Sequence, residues 1–272
     1  MTHPFLSEVL RLVEQAGEAI LPWWRQPLEI REKADASPVT AADLAAHHCL
    51  AEGLGRLDPQ IPVLSEEDCG AGLARRAAWS RWWLVDPLDG TREFIAGSGE
   101  FTVNVALIDR GQVVFGVVGA PAAGCCYYGG RGLGAGCLEQ GRHRVLQVSP
   151  PDSQPHVLVA SRRHGSPAQQ QLVAGLQARF PGLEMTSIGS SLKFCLVADG
   201  RADCYPRLAP TSQWDTAAAQ GVLEGAGGQV LTVTGQPLAY AAREDYLNPG
   251  FLALPAGAPW QAALLELARQ AG

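Results

Sequence analysis

The segment Trp82–Thr91, which reads WWLVDPLDGT, constrains the fold more than any other part of this chain. It begins with four apolar residues and runs into turn-forming residues, a pattern typical of a buried strand. Pro87 has no backbone N–H, so we expect the strand ladder to stop there. The pattern therefore predicts two carboxylates, Asp86 and Asp89, at the end of a buried strand.

The residues that follow predict a tight turn into a short helix. Gly90 permits the turn, and Thr91 is the expected N-cap of a helix over Arg92–Ala96. The carboxylates, carbonyl groups and hydroxyl at this point are hard oxygen ligands, which suit Mg²⁺ or Mn²⁺ rather than zinc. A helix N-terminus beside them would favour a phosphate group. The alternative is an ordinary pair of Asp-Pro and Asp-Gly turns that binds nothing.

The first part of the chain is predicted to contain helices followed by hairpins. Apolar spacing indicates one helix that ends near Trp24 and a second helix over Ala41–Leu54. Two strands, Phe101–Ile108 and Gln112–Val118, are expected to form a hairpin. The glycine-rich stretch 129–136 does not match a phosphate-binding loop, so we interpret it as tight turns between strands.

Three prolines within Ser149–Pro155 indicate a linker. We therefore predict an N-terminal α+β half, 1–150, with most of the candidate metal ligands, and a C-terminal α/β half, 151–272. In the second half strand and helix patterns alternate, which argues for an α/β layer. The predicted strands there are Val157–Ala160, Glu184–Ile188, Ala202–Tyr205, Gln229–Val233 and Phe251–Leu254, and the helices are Pro167–Phe180, Ser191–Ala198, Asp215–Ala226 and Pro259–Ala271.

Composition excludes several classes of protein. The formal net charge of -6 argues against a nucleic acid polymer as a partner. No apolar stretch approaches the roughly 18 residues of a membrane span, and the first ten residues lack the pattern of a signal peptide. The 7 cysteines have no regular spacing, which predicts reduced thiols and a cytoplasmic location.

Further acidic residues follow the pattern of the central motif. Asp43 lies in the first turn of the second predicted helix, Glu66 and Glu67 follow a short apolar strand, and Asp215 begins a later helix. A helix cap or a solvated turn would explain each of them equally well. Our hypothesis is that Asp215 faces the carboxylates of the central motif across a cleft and that one of the acids after the short strand points inward, whereas capping is the better interpretation of Asp43 taken alone.

Positive charge is predicted at strand ends of the C-terminal half. The segment Gly189–Lys193, GSSLK, lies between a strand and a helix and offers two hydroxyls and a lysine, a composition suited to an anion. Ser161–Ser166, which reads SRRHGS, and Arg207 also follow strands. Exposed cations at strand ends are common, but together these residues predict an anion-binding region in a net-acidic chain.

Taken together, these motifs resemble the inositol monophosphatase superfamily of metal-dependent, lithium-sensitive phosphatases, over nearly the whole chain. GSSLK and the YPR of Tyr205–Arg207 resemble, within it, the CysQ-type 3'(2'),5'-bisphosphate nucleotidases. The resemblance implies an α/β (α+β) fold, a layered α/β/α/β/α sandwich of the inositol monophosphatase and fructose-bisphosphatase type. It rests on SPVTAAD (Ser37–Asp43), VLSEED (Val63–Asp68), WLVDPLDGTREF (Trp83–Phe94), GSSLKFCLVADG (Gly189–Gly200) and WDTAAAQ (Trp214–Gln220).

The resemblance also implies roles for individual residues. It implies two or three Mg²⁺ ions, with Mn²⁺ as an alternative, and a water activated by Asp43 and Thr91 with the help of Glu66. Glu67 and Lys33 would belong to a more peripheral shell. The implied metal ligands are Glu66, Asp86, the Leu88 carbonyl, Asp89 and Asp215. The implied substrate contacts are Glu66, Leu88, Asp89, Gly90, Thr91, Ser190, Lys193, Arg207 and Asp215.

The implied activity is removal of the 3'-phosphate of adenosine 3',5'-bisphosphate (PAP) to give AMP and phosphate, with action on its sulfated relative PAPS left open. The alternatives are an inositol monophosphatase or another small phosphate-monoester phosphatase, a sugar bisphosphatase, and a non-catalytic nucleotide-binding sensor. The sequence leaves the oligomeric state open, with a homodimer allowed, and also leaves open peripheral contact with the inner face of the cell membrane.

Overall fold

The computed structural model describes residues 3–27, 31–32, 38–70, 72–150, 152, 154–161 and 166–272. Its helices are α1 Leu6–Ile20, α2 Ala41–Leu57, α3 Leu73–Ala77, α4 Thr91–Ile95, α5 Pro167–Arg179, α6 Leu192–Ala198, α7 Trp214–Gly225 and α8 Gln261–Ala271, with 3₁₀ turns at Leu21–Trp23 and Pro121–Ala123. Its strands are β1 Arg31–Glu32, β2 Pro38–Val39, β3 Val63–Ser65, β4 Arg81–Asp89, β5 Thr102–Asp109, β6 Gln112–Ala120, β7 Cys125–Gly130, β8 Gly134–Glu139, β9 Arg142–Val145, β10 Val157–Ala160, β11 Glu184–Ser187, β12 Tyr205–Arg207, β13 Gly228–Thr232 and β14 Phe251–Pro255.

A seven-stranded sheet, with the strand order β3-β4-β5-β6-β7-β8-β9, forms the largest layer. Strands β3 and β4 pair in parallel, and every later pair in this sheet is antiparallel. The predicted hairpin of β5 and β6 is confirmed. The glycine-rich stretch 129–136 joins the ends of β7 and β8 through a tight turn, as expected, and does not precede a helix.

Both faces of this sheet are buried, which explains the continuous apolar run of β4. Trp83 and Val85 face a core that they share with α1 and α2. Trp82 and Leu84, one residue out of step, face a second core that includes side chains of α6 and α7. Because successive side chains of a strand point to opposite faces, an apolar run without alternation is the expected signature of a strand covered on both sides.

Beyond α6 and α7 lies a second β layer, which is covered in turn by α5 and α8. This layer contains the strands β12-β14-β13 and the parallel pair β10-β11. A third core joins it to the outer helices, through Leu172 and Leu176 of α5 and Leu264 of α8. The α/β/α/β/α sandwich that the resemblance implies is therefore confirmed. The division at residue 150 stays a prediction, and the core around α6 and α7 draws side chains from both halves.

Helix α7 lies unusually close to the sheet because two glycines face each other at the contact. A Cβ atom added to Gly116 of β6 would lie 2.0 Å from the carbonyl oxygen of Ala218. One added to Gly221 of α7 would lie 2.7 Å from the backbone nitrogen of Gly116. Only a residue without a side chain fits at either position, so this contact determines how deeply the helix, with Asp215 in its first turn, sits against the sheet.

Three local predictions need correction. Strand β4 does not end before Pro87 but runs to Asp89, although its register with β5 shifts between Asp86 and Asp89, where the proline interrupts the ladder. Gly90, with a φ of 89°, is the N-cap of α4, and Thr91 is the first helical residue. The composition of the stretch 71–81 predicts a polar connection before β4, but this stretch contains helix α3. Among the described residues, no helix has the length and apolar character needed to cross a bilayer.

Candidate active site

A cleft of about 490 Å³ lies between the ends of β3 and β4 and the N-terminal ends of α6 and α7. It brings together most of the residues that the sequence singled out. Acidic side chains and cationic side chains both line it, which makes the cleft strongly polar. The predicted site residues on its wall are Glu66, Asp89, Gly90, Thr91, Ser190, Lys193, Arg207 and Asp215.

Asp43 and Thr91 form a hydrogen-bonded pair, as the resemblance implies. The Thr91 hydroxyl lies 3.2 Å from Asp43 Oδ1 and 3.1 Å from the carbonyl oxygen of Leu88. The other oxygen, Asp43 Oδ2, accepts hydrogen bonds of 2.7 Å from the backbone nitrogen and from the hydroxyl of Thr40. Asp43 therefore caps α2 with one oxygen and accepts the hydrogen bond of Thr91 with the other. Its side chain is only 1% exposed.

At the end of β4, beyond the register shift, Asp89 lines the cleft, whereas Asp86 and Leu88 do not. Asp86 is buried, and its Oδ1 accepts a 3.0 Å hydrogen bond from the backbone nitrogen of Leu88. The Leu88 side chain is buried in the core with α1 and α2, whereas its carbonyl oxygen faces the Thr91 hydroxyl. A bulge of this kind re-aims the side chains that follow it. Asp89, two residues beyond the proline, reaches the cleft.

Asp89 and Asp215 come from opposite sides of the cleft. Burial raises the pKa of Asp89, and the nearby Lys193 charge and the Ser191 backbone N–H lower it in part. Burial also raises the pKa of Asp215 well above its ordinary value, and the negative charges of Asp89 and Glu66 raise it further. These acids are therefore close enough to repel one another, as expected for carboxylates that share a site.

Asp215 lies in the first turn of α7, as predicted. Its Oδ2 accepts a 3.0 Å hydrogen bond from the backbone nitrogen of Ser212, which ties the start of the helix to the segment before it. Glu66 follows β3, and its backbone nitrogen donates a 3.1 Å hydrogen bond to Val85 on the neighbouring strand. Glu67 is half-buried and does not line the cleft. Lys33 lies outside the described residues.

The cationic wall of the cleft is built from α6 and β12. Lys193 is 6% exposed, and its Nζ donates to the carbonyl oxygens of Ser190 at 2.5 Å and Ile188 at 3.3 Å. Burial lowers the pKa of Lys193 to about 8, and the negative charge of Asp89 opposes that shift. Arg207 donates to the carbonyl oxygens of Ala209 and Pro210 at 3.1 and 2.9 Å. These bonds fix both cations at the wall.

Two residues at the site are given no role by the sequence, and Ser191 is predicted only as one of the two hydroxyls of the anion-binding segment. Thr102 and Asn104 of β5 and Ser191 before α6 are buried polar residues that surround Asp89. The signal for the first two is present in FTVNVALI, where two polar residues interrupt an apolar strand at a spacing of two and so share one face. Of the predicted cationic segment Ser161–Ser166, residues 162–165 lie outside the described residues.

The acidic donor set fits a hard divalent cation better than a transition metal. All of its donors are carboxylate or carbonyl oxygens, the ligands that Mg²⁺ and Mn²⁺ prefer. Among the described residues, no three histidine, cysteine, aspartate or glutamate side chains converge closely enough to enclose an ion by themselves. Burial is the first cause of the raised pKa of Asp89 and of Asp215, so the ionised form of each carboxyl would be favoured by a positive charge that balances it. A bound divalent cation would provide that balance.

Comparisons with known proteins agree with the fold and the motifs. Residues 2–271 match the family model described as the inositol monophosphatase family. Proteins named 3'(2'),5'-bisphosphate nucleotidase CysQ are similar to this chain. The one from Escherichia coli K12 is 48% identical and the one from Salmonella typhimurium 49% identical over 248 residues, which is 90% of this chain and 98% of each relative.

A solved structure is also similar to this chain. The crystal structure of CysQ from Bacteroides thetaiotaomicron, a bacterial member of the inositol monophosphatase family, has a TM-score of 0.80 and 36% identity. The match covers 92% of this chain and 96% of that one. The family model covers almost the whole chain, and the two nucleotidases are nearly half identical to it in sequence. The chain therefore belongs to the inositol monophosphatase family.

Proposed function

We propose that this protein is a phosphatase that removes the 3'-phosphate of adenosine 3',5'-bisphosphate, giving AMP and inorganic phosphate. The observation that carries the proposal is the composition of the cleft. Glu66, Asp89 and Asp215 form one side of it, which we call the acidic floor, and Lys193 and Arg207 form a cationic wall beside them. A substrate with two phosphates at opposite ends of a ribose needs both. The names of relatives that are 48% identical over most of this chain support the same substrate.

The acidic floor would hold the divalent cations and the phosphate that is removed. We assign cation binding to Glu66, Asp86, Asp89 and Asp215 and to the carbonyl oxygen of Leu88. We expect two or three Mg²⁺ ions at each site. When bound, Mg²⁺ would neutralise negative charge on the phosphoryl group and lower the pKa of a bound water. Mn²⁺ has the same preference for oxygen and would substitute for it.

Thr91 and Asp43 would guide the proton of the attacking water. The Thr91 hydroxyl, 3.2 Å from Asp43 Oδ1, can accept the proton while it passes its own to the carboxylate. The bonds from Thr40 to Asp43 Oδ2 keep the other oxygen engaged, so Oδ1 stays directed at Thr91. The oxygen of water forms the new bond to phosphorus, and the bond from phosphorus to the 3'-oxygen breaks. The 3'-oxygen takes a proton from a solvent water, and the proton held by Asp43 returns to the solvent, which balances the step.

The cationic wall would recognise the second phosphate of the substrate. Ser190 provides a hydroxyl, and Lys193 and Arg207 provide positive charge, at positions where the 5'-phosphate or the ribose would lie. Gly90 and Thr91 complete the contact with the phosphate that is removed. The sulfated relative PAPS carries the same 3'-phosphate, so we include it as a substrate to be tested.

The test is a phosphate-release panel with PAP, PAPS and inositol monophosphate, each with and without Mg²⁺ and Li⁺. We expect Mg²⁺-dependent release that is fastest with PAP and that Li⁺ inhibits. Faster release from inositol monophosphate would replace the proposal with the inositol monophosphatase alternative. Binding of PAP without release of phosphate would support the sensor alternative. A homodimer, a cytoplasmic location and contact with the inner face of the membrane stay predictions.

A further inference from the structure

A buried chain of hydrogen bonds joins the acidic floor of the cleft to the segment that carries its cationic wall. Thr102 Oγ1 lies 2.9 Å from Ser191 Oγ, and Ser191 Oγ donates to Asn104 Oδ1 at 2.8 Å. The backbone nitrogen of Ser191 donates to Asp89 Oδ2 at 2.5 Å. Thr102, Asn104 and Ser191 are all 2% exposed or less. We call these three residues the Asp89 bracket.

The direction of each bond in the bracket follows from counting hydrogens. Ser191 has one hydroxyl hydrogen, which it gives to Asn104, so Thr102 must be the donor of the bond to Ser191. Thr102 also has only one hydroxyl hydrogen, so its 3.5 Å contact with Asp89 Oδ2 is not a hydrogen bond while that hydrogen goes to Ser191, and Thr102 is linked to Asp89 through Ser191. The bracket is a directed chain, and the loss of one hydroxyl leaves a buried neighbour without its partner.

Asn104 completes the bracket on the side of Asp89. Its Nδ2 is buried and makes no hydrogen bond of ordinary geometry, while its Oδ1 is occupied by Ser191. The side-chain amide of Asn104 is a donor that lowers the pKa of Asp89, against the larger effect of burial. The opposite amide orientation would turn Oδ1 toward the carboxylate and place two acceptors face to face. Asn104 therefore belongs to the bracket through its Oδ1, which accepts the hydrogen bond from the Ser191 hydroxyl.

The position of Ser191 links two parts of the proposed function. It is the neighbour of Ser190 and lies two residues before Lys193, both assigned to the nucleotide. Its backbone and hydroxyl are held by Asp89, assigned to the cation, and by strand β5. The two residues of the Ser191–Asp89 bond are 102 positions apart in the chain. A shift of Asp89 on cation binding would therefore be transmitted directly to the nucleotide-binding segment.

We propose that Thr102, Asn104 and Ser191 are positioning residues that couple divalent cation binding at Asp89 to nucleotide binding at Ser190 and Lys193. The proposal rests on the proposed function, because it uses the ligand assigned to each side of the cleft. Coupling of this kind is reciprocal, so the cation tightens nucleotide binding by the same factor by which the nucleotide tightens cation binding.

The experiment is calorimetric titration of the full-length protein with Mg²⁺, in the absence and in the presence of saturating AMP. The ratio of the two Mg²⁺ affinities is the coupling factor, and for the unmodified protein we expect it to fall within about 5- to 150-fold, the usual range. The test variants are Ser191→Ala and the isosteric Thr102→Val. Both variants keep the bond from the Ser191 backbone N–H to Asp89 and remove one hydroxyl contact with β5, so for both we expect a coupling factor about fivefold smaller, as the loss of one neutral hydrogen bond would give.

Ser149→Ala is the matched control. The Ser149 hydroxyl donates a 2.9 Å hydrogen bond to the carbonyl oxygen of Gly200, just beyond the opposite end of α6. This substitution also removes one serine hydroxyl that holds the region of α6, but at a place remote from Asp89. We expect the coupling factor of Ser149→Ala to equal that of the unmodified protein.

The outcomes separate this proposal from the proposed function. An unchanged coupling factor in Ser191→Ala and Thr102→Val, or an equal loss in Ser149→Ala, would overturn the bracket as a coupling element. An unmodified protein that hydrolyses PAP with a coupling factor near one would overturn the coupling alone and leave the proposed function intact. An unmodified protein that neither binds AMP nor hydrolyses PAP would overturn both. If Ser191→Ala does not fold, Thr102→Val decides.

Discussion

Substitution of Gly116 by alanine tests whether the contact between α7 and the sheet positions the candidate active site. The added Cβ would lie 2.0 Å from the carbonyl oxygen of Ala218 and 2.6 Å from its Cα, both of them backbone atoms that no rotamer change can move. Real Cβ contacts essentially never fall under 3.0 Å. Helix α7 must therefore withdraw from β6 by about 1 Å to reach even the 3.0 Å limit, and by about 1.4 Å or more to restore an ordinary contact of 3.4–4 Å.

The size of the effect follows from this displacement. Overpacking of a buried contact costs about 1–3 kcal/mol. In a chain of this size, each kcal/mol lowers the Tm by about 2–4 °C. Ala218 lies one helical turn after Asp215, so the same movement carries the carboxylate away from Asp89 and Glu66. A misplacement of about 1 Å at a reacting centre can lower the rate about 100-fold.

Thermal unfolding and Mg²⁺-dependent phosphate release from PAP are the two assays. For Gly116→Ala we expect a Tm lower by about 2–12 °C and a loss of kcat/KM of roughly 100-fold at a temperature where the variant is folded. The matched control is Gly55→Ala in α2, where an added Cβ meets no atom within 4 Å. There alanine should stabilise the protein by about 0.4–1 kcal/mol without changing the activity.

Two results would refute this reasoning. A Gly116→Ala variant with an unchanged Tm would show that the helix accommodates the methyl group without strain. A variant that is less stable but fully active would show that the position of α7 does not control the geometry of Asp215. In either case the depth of the helix against the sheet would not be what places this carboxylate.

Three further predictions concern the cleft itself. Asp89→Asn should abolish nearly all PAP hydrolysis while circular dichroism stays unchanged, because the amide keeps the shape but loses the charge, and an active variant would contradict the assignment of Asp89. Lys193→Ala should raise the KM for PAP at least about tenfold more than the KM for a simple phosphate monoester, because it removes a charge-assisted contact of about 1.5–3 kcal/mol. Equal losses on both substrates would contradict the anion-binding role. Asp215→Asn should raise the Tm measured in EDTA by a few degrees, about 2–4 °C per kcal/mol of repulsion removed. The same variant should show no gain in Tm when Mg²⁺ is added. For the unmodified protein, that gain corresponds to about 2.7 kcal/mol of stability at a Mg²⁺ concentration 100-fold above the Kd. A full gain in the variant would contradict the cation assignment.

Much of the local structure could be predicted because the signals lie in contiguous residues. The apolar run of β4, the hairpin of β5 and β6 and the helix–strand alternation after residue 156 follow from side-chain periodicity and turn chemistry. The errors occurred where two local signals competed. Both Gly90 and Thr91 suit an N-cap, and the left-handed turn required there is one that glycine adopts without strain.

The sequence by itself determined which chemical groups this protein can bring to a site: acids at strand ends and helix starts, hydroxyls, and a few cations. Only the tertiary structure decided which of them meet. Asp215 reaches the cleft because Gly116 lets α7 approach the sheet, and Ser191 contacts Asp89 across 102 positions of chain because two layers pack there. The physical reason is that periodicity reports which face of an element is buried, whereas the partner of that face depends on backbone approach distances that no short stretch of sequence encodes.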